Sequence, residues 1–197
     1  MASFGDVSPA ANVCKYPNIL ITGTPGVGKT STAQQIAEKL GSSFRCVEVG
    51  ALVKEHKLGD YNEEFDTMEY DEDNEDKLLD LMDPMCAAGG CIVDFHTPDM
   101  FPESWFELVL VLRTSTDVLY DRLTARGYNE KKRTENMECE IMQVVLDEAH
   151  ESYDTNIVHE VPSNTLEEME SNVARVESWV SAWHKNNKAS SSSSSSS

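Results

Sequence analysis

Eight consecutive residues, Gly23-Thr24-Pro25-Gly26-Val27-Gly28-Lys29-Thr30, satisfy the spacing G-x-x-x-x-G-K-T. Each type has a chemical use at its place. Glycines let backbone N–H groups close around an anion with no Cβ in the way. A lysine after the last glycine can bridge the two terminal phosphates of a triphosphate, and the hydroxyl beside it can ligate Mg²⁺. A strand ending in an acidic residue is expected for the metal. Gly89-Gly90-Cys91-Ile92-Val93-Asp94 supplies one, so Asp94 can hold Mg²⁺ opposite Thr30, directly or through water. No N-K-x-D signature for guanine is found in the chain.

These residues need elements to hold them. The apolar run Asn18-Ile19-Leu20-Ile21-Thr22 leads directly into the glycine-rich turn, and helix-forming residues follow it to Leu40. The helix then points its positive end at the bound phosphates. Further strands are expected near 44–49, 91–94, 108–112 and 157–161, and helices near 28–40, 51–56, 74–88, 117–126, 133–153 and 166–184. The last helix has a capping-box start, Thr165-x-x-Glu168, and apolar residues at Leu166, Met169, Val173, Val176, Val180 and Trp183. Alternating strands and helices imply a parallel sheet covered on both faces, a three-layer α/β fold with five strands.

At 197 residues the chain is long enough for one domain with a continuous core. Residues 1–17 read as a disordered leader and 188–197 as a disordered serine-rich tail, leaving 18–187 as the folded domain. The formal net charge of −19 repels nucleic-acid backbones, which disfavours direct non-specific binding to DNA or RNA, and it suits a basic protein partner or simple solubility. Cys14, Cys46, Cys86, Cys91 and Cys139 are odd in number and form no C-x-x-C pair, against both a disulfide framework and a zinc site. Cys46 and Cys91 sit in apolar runs as small core residues. Neither a signal peptide nor a membrane-spanning stretch is legible, so a soluble intracellular protein is expected.

Two stretches depart from the core pattern. Residues 60–83 carry twelve carboxylates, including Asp60, Glu63, Glu64, Asp66 and Asp71, against the single base Lys77. They form either a solvated face or a mobile acceptor-side flap with an acidic rim. Arg126-Gly127-Tyr128-Asn129-Glu130-Lys131-Lys132-Arg133 is basic and turn-prone. Beside a triphosphate it reads as a short lid closing over phosphates, and otherwise as a plain connection between helices.

Besides the phosphate loop, Ile92-Val93-Asp94-Phe95-His96, Phe101-Pro102-Glu103-Ser104-Trp105-Phe106, Val111-Leu112-Arg113-Thr114, Val118-Leu119-Tyr120-Asp121-Arg122-Leu123 and Arg126-Gly127-Tyr128-Asn129-Glu130-Lys131-Lys132 occur in order. Together they resemble the adenylate kinase isoenzyme 6 family over about residues 18–187. This is a family of small nuclear adenylate kinase/ATPases linked to coilin and to small-subunit ribosome assembly. The resemblance implies a nucleoside monophosphate kinase turning ATP and AMP into two ADP with Mg²⁺, with additional ATPase activity, in nucleus and cytoplasm. By position it assigns Gly26, Gly28, Lys29, Thr30, Ser31 and Arg126 to ATP, and Thr30 and Asp94 to the metal. It makes Lys29, Asp94, His96 and Arg126 the catalytic set, with an acceptor flap at about 48–70 and a lid at about 125–135. His96, two residues past the metal aspartate, would orient the acceptor phosphate or a hydrolytic water, or serve only the structure.

Departures from the family pattern fall on the acceptor side: Ala51 where an acidic residue is usual, Lys54 where arginine is common, Thr97 for a glycine, and a longer acidic stretch with Pro84. A lysine cannot make arginine's planar two-point contact with phosphate. The choice of monophosphate therefore stays open. An ATPase assembly factor, whose nucleotide state gates a basic ribosomal protein, is the alternative to a kinase, and a small-metabolite kinase is a third reading. Lys131-Lys132-Arg133 is too short for an import signal.

Overall fold

A computed structural model of the chain describes residues 15–62, 67–69 and 71–193. The sheet is built from β1 (Ile19–Thr22), β2 (Arg45–Glu48), β5 (Cys91–Asp94), β6 (Leu108–Arg113) and β7 (Val158–Pro162), all parallel, in the order β2-β5-β1-β6-β7. Between β2 and β5 the short antiparallel pair β3 (Asp60–Asn62) and β4 (Thr67–Glu69) stands apart from it. The helices are α1 (Lys29–Leu40), α2 (Val49–His56), α3 (Glu72–Ala88), α4 (Thr116–Ala125), α5 (Glu130–Ile141), α6 (Val144–Ser152) and α7 (Leu166–Ser193).

Successive residues of a strand point to opposite faces, and the core divides accordingly. Leu20, Val47, Val93, Val109 and Val111 face a cluster closed by α2, α3 and α6, with Phe101 and Phe106 from the connection before β6. Ile19, Ile21, Ile92, Leu108, Leu110 and Leu112 face the other way, onto α1, α4 and α7. Because both faces are covered, the central strands read as unbroken apolar runs rather than as an alternating pattern.

The central strand β1 pairs with β5 through Ile21↔Asp94 and with β6 through Thr22↔Val111. That register brings the carboxyl ends of the central strands to one edge, where open parallel sheets bind ligands.

Four local details differ from the sequence pattern. The expected helix 133–153 is two helices, α5 and α6, broken at Gln143, which adopts a left-handed conformation with φ 61°. The break lets Val145, Leu146 and Ala149 turn into the core while Ile141 and Met142 stay outside. Lys131, Lys132 and Arg133 lie in the first turn of α5 rather than in a loop, because Asn129 caps that helix by accepting from the Lys132 N–H at 2.8 Å. The capping box of α7 is only half formed: Thr165 accepts from the Glu168 N–H at 3.2 Å, but the Glu168 carboxylate accepts from the Asn164 N–H at 2.6 Å, one residue earlier than the motif requires. Finally, α7 continues past 184 to Ser193, through a stretch with no Gly or Pro to stop it.

Of the acidic stretch, Asp71, Glu72, Asp73, Asp76, Asp80 and Asp83 lie exposed along α3, and Asp71 caps it by accepting from the Asn74 N–H at 2.9 Å. Glu63, Glu64 and Asp66 lie outside the described residues, as do Cys14, residues 1–14 of the leader and 194–197 of the tail. Within the described part of the leader, Tyr16 packs edge-on against Phe44 at 5.5 Å and His184 at 5.4 Å. Cys91 is fully buried and Cys46 half-buried, and Cys46, Cys86, Cys91 and Cys139 are free thiols. Among the described residues no helix is long and apolar enough to cross a membrane.

Candidate active site

The phosphate loop runs from the buried end of β1 to the first turn of α1. Gly26 has φ 104° and lies against α4: a Cβ there would meet Leu123 Cδ2 at 2.8 Å and Leu119 Cδ1 at 2.9 Å. Gly28, at φ 103°, forms the left-handed N-cap of α1 with no side-chain cap, which leaves the first N–H groups of that helix for an anion. The loop is braced from behind. Arg122 of α4 donates to the carbonyls of Val27 (3.2 Å), Ser163 (2.8 Å) and Asn164 (2.9 Å), and the Ser163 hydroxyl donates to the Val27 carbonyl at 2.6 Å.

Lys29 folds back over this loop. Its Nζ donates to the carbonyls of Gly23 (2.8 Å) and Thr24 (3.2 Å). Burial pulls its pKa down to about 8; Asp94 opposes the fall and Arg126 deepens it. One residue on, the Thr30 hydroxyl donates to Asp94 Oδ2. Asp94 itself is buried, and desolvation raises its carboxyl above the usual range while the Thr30 hydrogen bond and Lys29 hold it down. Thr30 and Asp94 thus place two hard oxygen donors side by side, the donor type that suits Mg²⁺. Among the described residues no group of three or more His, Cys, Asp or Glu could hold an ion alone. These two oxygens therefore fit a cation that brings further ligands with it, as a nucleotide-bound Mg²⁺ does.

His96 stands just past β5, its ring tilted against Phe95 at 4.6 Å. Burial and the nearby positive charges of Lys29 and Lys132 depress its pKa to about 4, so it is neutral at physiological pH. A neutral imidazole can orient a water or share a hydrogen bond with a phosphate, but it cannot act as a cationic clamp. His96 lines a cleft of about 380 Å³ with Pro25 of the loop, Thr97, Lys132 and Cys139 of α5, and Glu148 of α6. Arg126, at the C-terminus of α4, is exposed, and its charge reaches both Lys29 and Asp94. Ser31 is exposed on the first turn of α1. Along the rim, Lys132 lies over the Tyr128 ring at 4.3 Å and Arg133 over Tyr120 at 4.9 Å.

Lys29, Thr30, Asp94, His96 and the charge of Arg126 therefore gather at one edge of the sheet. Two participants are not legible in the sequence. Arg122, here the brace of the loop, reads as an ordinary helix charge. Arg113, at the end of β6, pairs with buried Glu140 at 2.7 Å and with exposed Glu160 at 3.2 Å, a buried partner that nothing in the sequence singles out.

A glycine-rich loop between the central strand and α1, a covered parallel sheet in the order β2-β5-β1-β6-β7, and an aspartate closing the adjacent strand define a P-loop kinase of the nucleoside monophosphate kinase type. Shikimate kinase from Bacteroides thetaiotaomicron shares the fold (TM-score 0.59, 17% identity, covering 84% of this chain and 98% of that one), as does a gluconokinase from Sinorhizobium meliloti 1021 (TM-score 0.53, 16% identity, 83% and 95%). Residues 19–143 match the AAA domain family. The adenylate kinase isoenzyme 6 homolog of Schizosaccharomyces pombe is 48% identical over 173 residues, covering 87% of this chain and 96% of the relative. That of Caenorhabditis elegans is 50% identical over 165 residues, covering 82% and 88%. The chain belongs to the adenylate kinase isoenzyme 6 family, a family of nucleotide kinases.

Proposed function

We propose that this protein transfers the γ-phosphoryl group of ATP to AMP, giving two ADP, and hydrolyses ATP more slowly. We assign residues 18–187 to the kinase domain, with an acceptor flap at about 48–70 and a lid at about 125–135, and place the protein in small ribosomal subunit assembly, in nucleus and cytoplasm. The observation that carries the kinase reading is the Thr30–Asp94 pair beside Lys29, with Pro25 of the same loop and His96, two residues past Asp94, lining a cleft against α5.

An oxygen of the acceptor phosphate attacks the γ-phosphorus as the bond to the β–γ bridging oxygen breaks, and ADP leaves with that electron pair. The acceptor is already an anion, so the protein has little proton chemistry to perform and acts by alignment and charge neutralisation. Gly26, Gly28 and Ser31, at the start of α1, cradle the phosphates. Lys29 leaves the Gly23 and Thr24 carbonyls to bridge the terminal phosphates, and Arg126 adds charge from the lid side. Thr30 and Asp94 would hold Mg²⁺, which supplies neutralisation of the phosphate oxygens. His96, neutral, orients the acceptor phosphate or a hydrolytic water.

The −19 charge and the exposed carboxylates of α3 support a second reading: an ATPase assembly factor whose nucleotide state gates a basic ribosomal protein. ADP production from Mg·ATP, alone and with AMP, CMP, UMP or GMP, separates the two, with Lys29→Ala as the blank. An AMP-dependent rate lost in that variant supports the kinase. Slow Lys29-dependent hydrolysis that no monophosphate stimulates supports the assembly factor instead.

A further inference from the structure

We infer that Glu140 is a positioning residue that ties the lid helix to the phosphate loop, so that engagement of ATP by the loop and the posture of the lid form one linked event. The inference rests on the ATP-binding reading above.

Glu140 sits near the C-terminus of α5 with only 4% of its surface exposed. Every side-chain contact it makes is as an acceptor. Oε1 takes hydrogen bonds from Arg113 Nε at 2.7 Å and from the Thr114 N–H at 3.1 Å, and Oε2 takes one from the Thr24 hydroxyl at 2.5 Å. Its main-chain carbonyl accepts from Arg113 Nη2 at 3.0 Å. One buried carboxylate thus joins the lid helix, the end of β6 and the phosphate loop. Burying a charged group with three donors satisfied is costly if any donor is lost, so the three segments are held in one arrangement.

The link continues into the chemistry. Thr24, whose hydroxyl reaches Glu140, accepts from Lys29 Nζ through its carbonyl at 3.2 Å. When Lys29 moves to a phosphate, Thr24 loses that partner and Glu140 is the next group to respond. The lid end amplifies the response. Glu140 lies just before the break at Gln143, and Lys132 is about 12 Å away along α5 at the usual rise per residue. A rotation of about 10° at Glu140 would therefore carry Lys132 roughly 2 Å across the mouth of the cleft.

The test measures binding of Mg·ATP and of a non-hydrolysable ATP analogue by calorimetry on the full chain. The variants are Thr24→Val, Glu140→Gln, the double variant, and Glu160→Gln. Thr24→Val keeps its shape and leaves the Arg113–Glu140 pair intact, so it carries the test even where Glu140→Gln fails to fold. Glu160→Gln removes the other partner of Arg113 without touching the loop. We expect each of the first two to weaken nucleotide binding about tenfold, the double variant to lose no more than either single one, and Glu160→Gln to bind as wild type. Hydrogen exchange supplies the second readout: the analogue should slow exchange over 130–136 in wild type and not in Thr24→Val. Unchanged affinity in Thr24→Val, multiplied losses in the double variant, or undiminished protection of 130–136 would overturn the inference. Failure of the wild type to bind either nucleotide would instead sink the ATP reading on which it stands.

Discussion

A lysine whose pKa lies near 8 before it meets a triphosphate must take up a proton when it does. Burial is the main cause of that depression in Lys29, with Arg126 adding to it and Asp94 only partly offsetting it. The negative charge of ATP favours the protonated amine and moves its pKa back towards or beyond the ordinary 10.5. The magnitude follows from the fraction of neutral amine in the free protein. At pH 8 about half is neutral, so binding draws in roughly 0.5 proton per nucleotide; at pH 7 the figure falls to about 0.1, and at pH 9 it rises to about 0.9. The affinity for Mg·ATP should accordingly drop about tenfold between pH 7 and pH 9. Calorimetry at pH 8 in phosphate and in Tris, which differ widely in ionisation enthalpy, reads the uptake directly. ATP itself is fully ionised there and contributes nothing. Lys29→Met, assayed at higher protein concentration, should show none. Equal heats in the two buffers, or an uptake that persists in Lys29→Met, would refute the assignment of this proton to Lys29.

Other perturbations have equally definite outcomes. Gly26→Ala forces a Cβ against Leu119 and Leu123 at a φ of 104°, and should cost about 2–4 kcal/mol in denaturant unfolding while reducing ATP affinity. His96→Gly should lower turnover about tenfold or more with little change in ATP affinity; because the His96 pKa is about 4, its protonation should leave no mark on the wild-type rate between pH 5.5 and 8. Burial raises the Glu107 carboxyl from 4.5 to about 7, so between those values the folded protein keeps a proton that the unfolded chain has released. Its contribution to stability therefore falls as pH rises from 4.5 and levels off above 7. Glu107→Gln, which removes this titration, should gain about 1–3 kcal/mol relative to wild type on going from pH 4.5 to pH 8 in urea melts.

What the sequence alone determined is local. The phosphate loop is legible because each residue in it answers a requirement of its own few neighbours: a left-handed φ at Gly28, a lysine and a hydroxyl at adjacent positions. The five strands are legible because burial on both faces writes itself as short apolar runs. Asp94 is found by its place at the end of one of them. What only the tertiary structure decided is every choice between partners far apart along the chain. Nothing local in Glu138-Cys139-Glu140 says that one carboxylate is solvated while the other meets Thr24, a residue 116 positions earlier. Nothing near Gln143 breaks the helix, since that residue is no glycine; the break follows from packing Val145 and Leu146 under the sheet while Glu140 keeps its three donors. Even the neutrality of His96 is a tertiary property, because an imidazole titrates normally until burial and the charges of Lys29 and Lys132 surround it. Backbone requirements act over a few bonds and leave a pattern in the residues. Desolvation and charge act through space, and only the folded chain fixes who stands beside whom.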